Sequence, residues 1–151
     1  MVVVDEAQNL DFELLEELRM LSNLETDATK LVQILLLGQP DLASRLNDPR
    51  LKQLKQRISI RHHILPLDRH DTSEYIRHRL SVAGYAGGSP LFTSEAEEAI
   101  FAYSKGLPRT VNNLCDNALL VGYIREKKEI LPEMVVEIID ELEGVASHGA
   151  N

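Results

Sequence analysis

Val2-Val3-Val4-Asp5-Glu6 decides how the chain is read: three β-branched apolar residues run straight into two adjacent carboxylates. Valine suits the extended pleat, and a short unbroken apolar run is the pattern of a strand covered on both faces. The expectation is a buried strand over residues 2–4 that ends in a polar turn. Successive residues just past a strand point in different directions, so Asp5 can enter a metal's shell while Glu6 orients a water. The same pair also reads as an acidic turn at a helix entrance.

Working outward, Asp11 stands where an N-cap belongs, and a leucine-rich helix follows over 12–24, with Glu13, Glu16 and Glu17 placed favourably against the helix dipole. Residues 31–37 (LVQILLL) form the next apolar strand, so the first 37 residues predict a βαβ unit with parallel strands. Gly38-Gln39-Pro40 ends that strand. Short helices near 41–46 and 50–56 lead to a third predicted strand over 58–64. After Leu65-Pro66-Leu67 the pattern turns helical. Asp71 with Glu74 reads as a capping box, Thr93 as an N-cap, Gly106 as a stop, and Pro108 and Pro132 as first-turn prolines, which predicts four helices. The domain reading is therefore a sheet-bearing part over 1–66, a helical part over 67–143 and a disordered tail over 144–151.

The 151 residues, 44% of them hydrophobic, suffice for one ordinary domain or for part of one with a small second. The single cysteine, Cys115, excludes an internal disulfide framework and a multi-cysteine zinc site and suits a reducing, cytoplasmic setting. MVVVDEAQ has no basic n-region and no adequate apolar h-region, so it does not read as a signal peptide. No apolar run approaches the roughly 20 residues of a membrane span. The net charge of −8 argues against a surface devoted to nucleic acid. Residues 45–80, however, hold nine Lys/Arg against four acids, together with four of the five histidines. That basic centre suits an anionic contact: nucleic acid, a neighbouring subunit's nucleotide or an acidic protein face.

Three further residues are candidates for chemistry. Gln39, just past the second strand, lies level with the carboxylate pair if the strands are parallel, where its amide can bond a water and a phosphate; otherwise it belongs to a turn that starts the next helix. Arg57 ends a basic helix and can project a guanidinium to an adjacent subunit, with Arg50 and Arg61 as rivals. Arg109, in Gly106-Leu107-Pro108-Arg109, sits in a helix's first turn against the dipole, which suits a facing anion or a pair with Asp116. By contrast, Gly84 to Ser89 is read as a connector, His62 and His63 alternate across a strand and do not share a metal, and Cys115 belongs to an apolar helix face.

Taken in order, these features resemble AAA+ ATPases over residues 2 to about 140. More narrowly, VVVDEAQNL, LLLGQPDL, LKQLKQRISIRHHILPL and GLPRTVNNLCDNALL are similar to the general secretion pathway protein A family of bacterial type II secretion, which has relatives in pilus biogenesis. The resemblance implies the second half of a P-loop parallel-sheet domain followed by an all-helical lid. It implies that Asp5 is the Walker B magnesium ligand and Glu6 the catalytic glutamate. Gln39 corresponds to sensor 1, Arg57 to the arginine finger and Arg109 to the sensor 2 arginine that helps hold ATP. It also implies ATP and magnesium as cofactors, an oligomer, a membrane partner in a secretion or pilus system, and a parent protein at the inner membrane.

The departure from the family is as informative. No G-x-x-x-x-G-K-[ST] occurs in these residues, so the nest and lysine for the β- and γ-phosphates are missing. The expectation is a truncated product, inactive alone, that self-associates through its uncovered sheet. Two rival readings are a DNA-handling AAA+ ATPase of transposition or clamp-loader type, resting on the basic centre, and a non-enzymatic protein-interaction module.

Overall fold

The computed structural model describes residues 1–23 and 31–148. They form a mixed α/β chain, mostly helical, with one small parallel sheet. The chain divides into two compact units, Met1–His63 and Ile64–Asn151.

In the first unit, strand β1 (Val2–Val4) pairs in parallel with β2 (Ile34–Leu36), in the register Val2 to Ile34, Val3 to Leu35 and Val4 to Leu36. Helix α1 (Phe12–Leu21) starts where Asp11 accepts a hydrogen bond from the Leu14 N–H at 2.8 Å, an N-cap as expected. The helix ends at Leu21, with Ser22 as its C-cap and Asn23 in a turn, short of the predicted end at 24, a residue that itself lies outside the described residues. Helices α2 (Asp41–Arg45) and α3 (Lys52–Arg57) follow, and a small core gathers Ala7, Leu15, Leu42, Leu46, Leu51 and Leu54.

Two expectations for this unit are corrected. The first strand is not buried: Val2 and Val3 are exposed, Val3 by 50%, as is Leu35 of β2. A sheet of two strands leaves apolar side chains that further layers would cover. The third strand, over 58–64, is not formed either. That stretch is without regular structure and finds no ladder partner among the described residues, and Ile60 is 86% exposed. Extended sequence preference becomes a strand only when a neighbour accepts its hydrogen bonds.

The second unit contains four helices: α4 (Arg69–Val82), α5 (Ser94–Ser104), α6 (Pro108–Ile124) and α7 (Pro132–His148). The cap of α4 is Asp68, which accepts from the Asp71 N–H at 2.8 Å, so the helix opens earlier than the expected Asp71–Glu74 box. Thr93 caps α5 through the Ala96 N–H. The α5–α6 turn needs Gly106, whose φ is +75° and where a Cβ would lie 1.8 Å from the Leu67 carbonyl oxygen. Ile76, Phe92, Ala96, Ile100, Val111, Leu114, Ala118, Ile130, Met134, Val135 and Ile138 pack into one core. Helix α7 continues through Gly144 to His148, since one glycine costs a helix only about 1 kcal/mol. Residues 149–151 lie outside the described residues.

Candidate active site at the strand ends

The site is built by the parallel register. Because β1 and β2 run the same way, their last residues end level, and ladder hydrogen bonds continue past both strands. The Leu37 N–H donates to the Val4 carbonyl and the Ala7 N–H to the Leu37 carbonyl, each at 2.8 Å. The turn carrying Asp5 and Glu6 is thereby joined to the turn carrying Gly38 and Gln39. Beyond the carboxyl ends of parallel strands is where open α/β sheets place their ligands.

Each member of the pair has a defined setting. The Glu6 N–H donates to Asp5 Oδ1 at 2.8 Å, which leaves the other Asp5 oxygen outside that bond. Glu6 takes a left-handed backbone, φ 52° and ψ 36°, uncommon for a residue with a side chain and costing on the order of 1 kcal/mol. Both carboxylates are exposed. Among the described residues no three His, Cys, Asp or Glu side chains are grouped to hold a metal. Magnesium commonly binds through one or two carboxylates with phosphate and water oxygens supplying the rest, and Asp5 fits that sparse donor set.

Gln39 begins a turn, since its carbonyl accepts the Leu42 N–H at 2.9 Å, while its own side chain has no hydrogen-bond partner among the described residues. The turn reading of this residue therefore holds for its backbone. What the sequence reading missed is Gln8. Its side-chain amide donates to the Glu6 carboxylate and accepts the Gln39 N–H at 3.1 Å. Its carbonyl is in turn held by Arg45, which also binds the Leu10 carbonyl and lies 5.5 Å from the Phe12 ring centre. The signal was present in Asp5-Glu6-Ala7-Gln8, but a role for Gln8 needs the second turn to be in place.

The arginines sort by their partners. Arg50 grips Asp48 through two bonds, at 3.0 and 2.9 Å, and covers the Phe12 ring at 3.6 Å. That guanidinium lowers the Asp48 carboxyl to about 2. Arg57, at the end of α3, and Arg61 are exposed and make no hydrogen bond or ion pair among the described residues. Arg109, in the first turn of α6, belongs to the second unit and is likewise exposed; its expected alternative partner, Asp116, does not pair with it. Three of the nine cations of the basic centre pair with acids, in Arg50–Asp48, Arg69–Glu98 and Arg77–Glu97.

The second unit also holds a cavity of about 110 Å³ between α4 and α6, lined by Tyr75, Ile76, Arg79, Phe92, Cys115 and Asp116 among others. None of the candidate residues lines it. Burial, with the charges of Asp116 and Glu97, pushes the Cys115 thiol up to about 12, in keeping with its expected place on an apolar helix face.

With this geometry in hand, residues 1–46 match the AAA domain family. Over 148 residues, 98% of this chain, the sequence is 43% identical to General secretion pathway protein A of Aeromonas hydrophila. The chain spans 27% of that protein's length.

Proposed function

As the chain belongs to the general secretion pathway protein A family, we propose that it forms part of an AAA+ ATPase that couples ATP hydrolysis to the assembly of a bacterial secretion or pilus system. In this reading 1–66 completes a nucleotide-binding core and the four helices are its lid. Asp5 contributes a carboxylate oxygen to magnesium, which when bound would neutralise phosphate charge. Glu6 orients the attacking water, and the Gln39 amide, which has no partner among the described residues, meets the γ-phosphate. Arg57 reaches a neighbouring subunit's nucleotide, and Arg109 supplies the lid's cation.

The observation that carries the reading is the joining of the Asp5-Glu6 turn to the Gln39 turn, which puts two acids and an amide at one end of a parallel strand pair. The nucleic-acid reading draws less support from a chain of net charge −8, in which three of the nine cations over 45–80 already face carboxylates.

Since no phosphate-cradling motif occurs in these 151 residues, the chain alone is proposed to be inactive and to self-associate through its exposed sheet. We place it on the cytoplasmic side, with its parent at the inner membrane beside a membrane partner. Among the described residues no helix is long and apolar enough to cross a membrane. Calorimetry with Mg-ATP tests the first point: no heat is expected, and micromolar binding would overturn it. In a chain extended by a P-loop segment, Glu6→Gln should lower turnover by roughly 10² to 10⁴ while ATP still binds. Undiminished turnover would remove Glu6 from its role.

A further inference from the structure

We propose that Gln8 is a positioning residue that locks the Glu6 carboxylate to the loop carrying Gln39, so that neither moves without the other. The inference rests on the proposed hydrolytic reading for its catalytic consequence; the coupling itself is a property of this chain.

Four observations converge on Gln8. The orientation of its amide is set by its partners: a backbone N–H can only donate and a carboxylate can only accept, so the oxygen faces Gln39 and the NH₂ group faces Glu6. Its backbone is fixed independently by the half-buried Arg45, which takes both the Gln8 and Leu10 carbonyls. Space for its side chain depends on Gly38, where a Cβ would lie 2.8 Å from Gln8 Oε1 and 3.0 Å from Leu42 Cδ2. Gly38 is not among the positive-φ glycines, so what this position requires is room. Finally, Glu6 holds a left-handed backbone at the start of the Ala7–Asn9 turn, which the Asn9 N–H closes onto the Glu6 carbonyl at 2.9 Å with Gln8 at its centre.

The consequence is a conditional site. Glu6 and Gln39 are not bonded to one another directly; the Ala7–Leu37 backbone bond joins their turns, and Gln8 adds the side-chain bridge that ties the Glu6 carboxylate itself to Gln39. A phosphate that draws the Gln39 loop would realign the carboxylate, and a displaced loop would release it. Asparagine at position 8 is one methylene too short to span both partners. Glutamate there keeps an acceptor for the Gln39 N–H but sets like charges against Glu6.

The test is a double-mutant cycle read at the Gln39 backbone amide by NMR hydrogen exchange, on this chain without nucleotide. Glu6→Ala should speed exchange at Gln39 about fivefold when Gln8 is present, the effect of weakening one ordinary hydrogen bond. In the Gln8→Ala background the same change should do less than about twofold. Gln8→Glu should keep Gln39 protected yet abolish its response to Glu6→Ala, a split that a merely structural role would not produce. Gly38→Ala should expose Gln39 as Gln8→Ala does, and thermal melts confirm that each variant is folded. If Gln8→Ala does not fold, the Gln8→Glu and Gly38→Ala arms decide the matter. Equal responses to Glu6→Ala in the two backgrounds, or none in either, would overturn the proposal. No ATP is used, so a failure of the hydrolytic reading shows in the calorimetry and turnover assays and leaves this cycle unaltered.

Discussion

The two units solve the problem of burial to different degrees. Among the described residues, Ile64–Asn151 closes four helices over a core in which Ile100, Leu114 and Val135 have no exposed surface, whereas Met1–His63 buries six apolar residues and leaves Val2, Val3 and Leu35 on an open sheet. Helices satisfy their own backbone, so a four-helix unit can be complete by itself; a strand draws on its neighbours for hydrogen bonds and cover. The difference teaches that the candidate chemistry sits on the less finished unit, held by turn hydrogen bonds and Arg45 more than by core.

The sharpest way to break that comparison is truncation in each unit. Leu114→Ala should destabilise the second unit by about 2–5 kcal/mol through lost burial and a cavity, while Val3→Ala should change the first by less than about 0.5 kcal/mol. Denaturant unfolding, with one probe per unit, reads both. A large loss at Val3 would mean that its face is already covered.

Cover is the next question. If the exposed sheet mediates the proposed self-association, Leu35→Lys should shift sedimentation toward the monomer without lowering the melting temperature, because a charge at an open sheet face opposes pairing between copies. Unchanged sedimentation would assign the association elsewhere.

Cys115 probes the finished unit in the same spirit. With its thiol raised to about 12, the folded state holds the proton that an unfolded chain releases near 9. The sign follows: the contribution to stability is full below pH 9 and declines as pH climbs from 9 toward 12. Thiol-disulfide reagents at pH 8 should therefore react at least about tenfold more slowly with the native chain than with the unfolded one. Equal rates would mean that the α4–α6 packing opens readily.

What was legible in the sequence follows the same division. Helix signals are local, so Asp11, Thr93, Pro108 and Pro132 were found at or within a residue of their places. Strand signals depend on neighbours, so 58–64 carried the pattern and did not form, and 2–4 formed without being buried. Asp5, Glu6 and Gln39 could be named because parallel strands of known polarity make their ends level. Gln8, Gly38 and Arg45 could not, because each acts across about 30 residues of chain, through bonds that exist only once the two turns meet. The choice among Arg50, Arg57 and Arg61 was likewise closed to sequence; among the described residues Arg50 alone of the three pairs with a carboxylate.

That last point yields the smallest and most local test, a contrast of ion pairs between the units. Asp48 and Arg50 are solvent-screened, whereas Glu97 is nearly buried beside Arg77 at 3.1 Å. Asp48 is depressed to about 2 from 3.8 chiefly by the side-chain hydrogen bond from Arg50, so its favourable contribution is present above about 3.8 and fades as pH falls through 2. Arg50→Ala should raise the Asp48 carboxyl midpoint from about 2 toward 3.8 in an NMR titration, the retained backbone N–H bond still lowering it, with little change elsewhere in the first unit. Arg77→Ala, in contrast, should destabilise the second unit by about 1–3 kcal/mol by stranding a desolvated carboxylate. If Asp48 still titrates near 2 without Arg50, its N-cap bond to the Arg50 N–H at 2.9 Å would have to hold the charge, and Arg50 would again be free to act on a neighbour's phosphate.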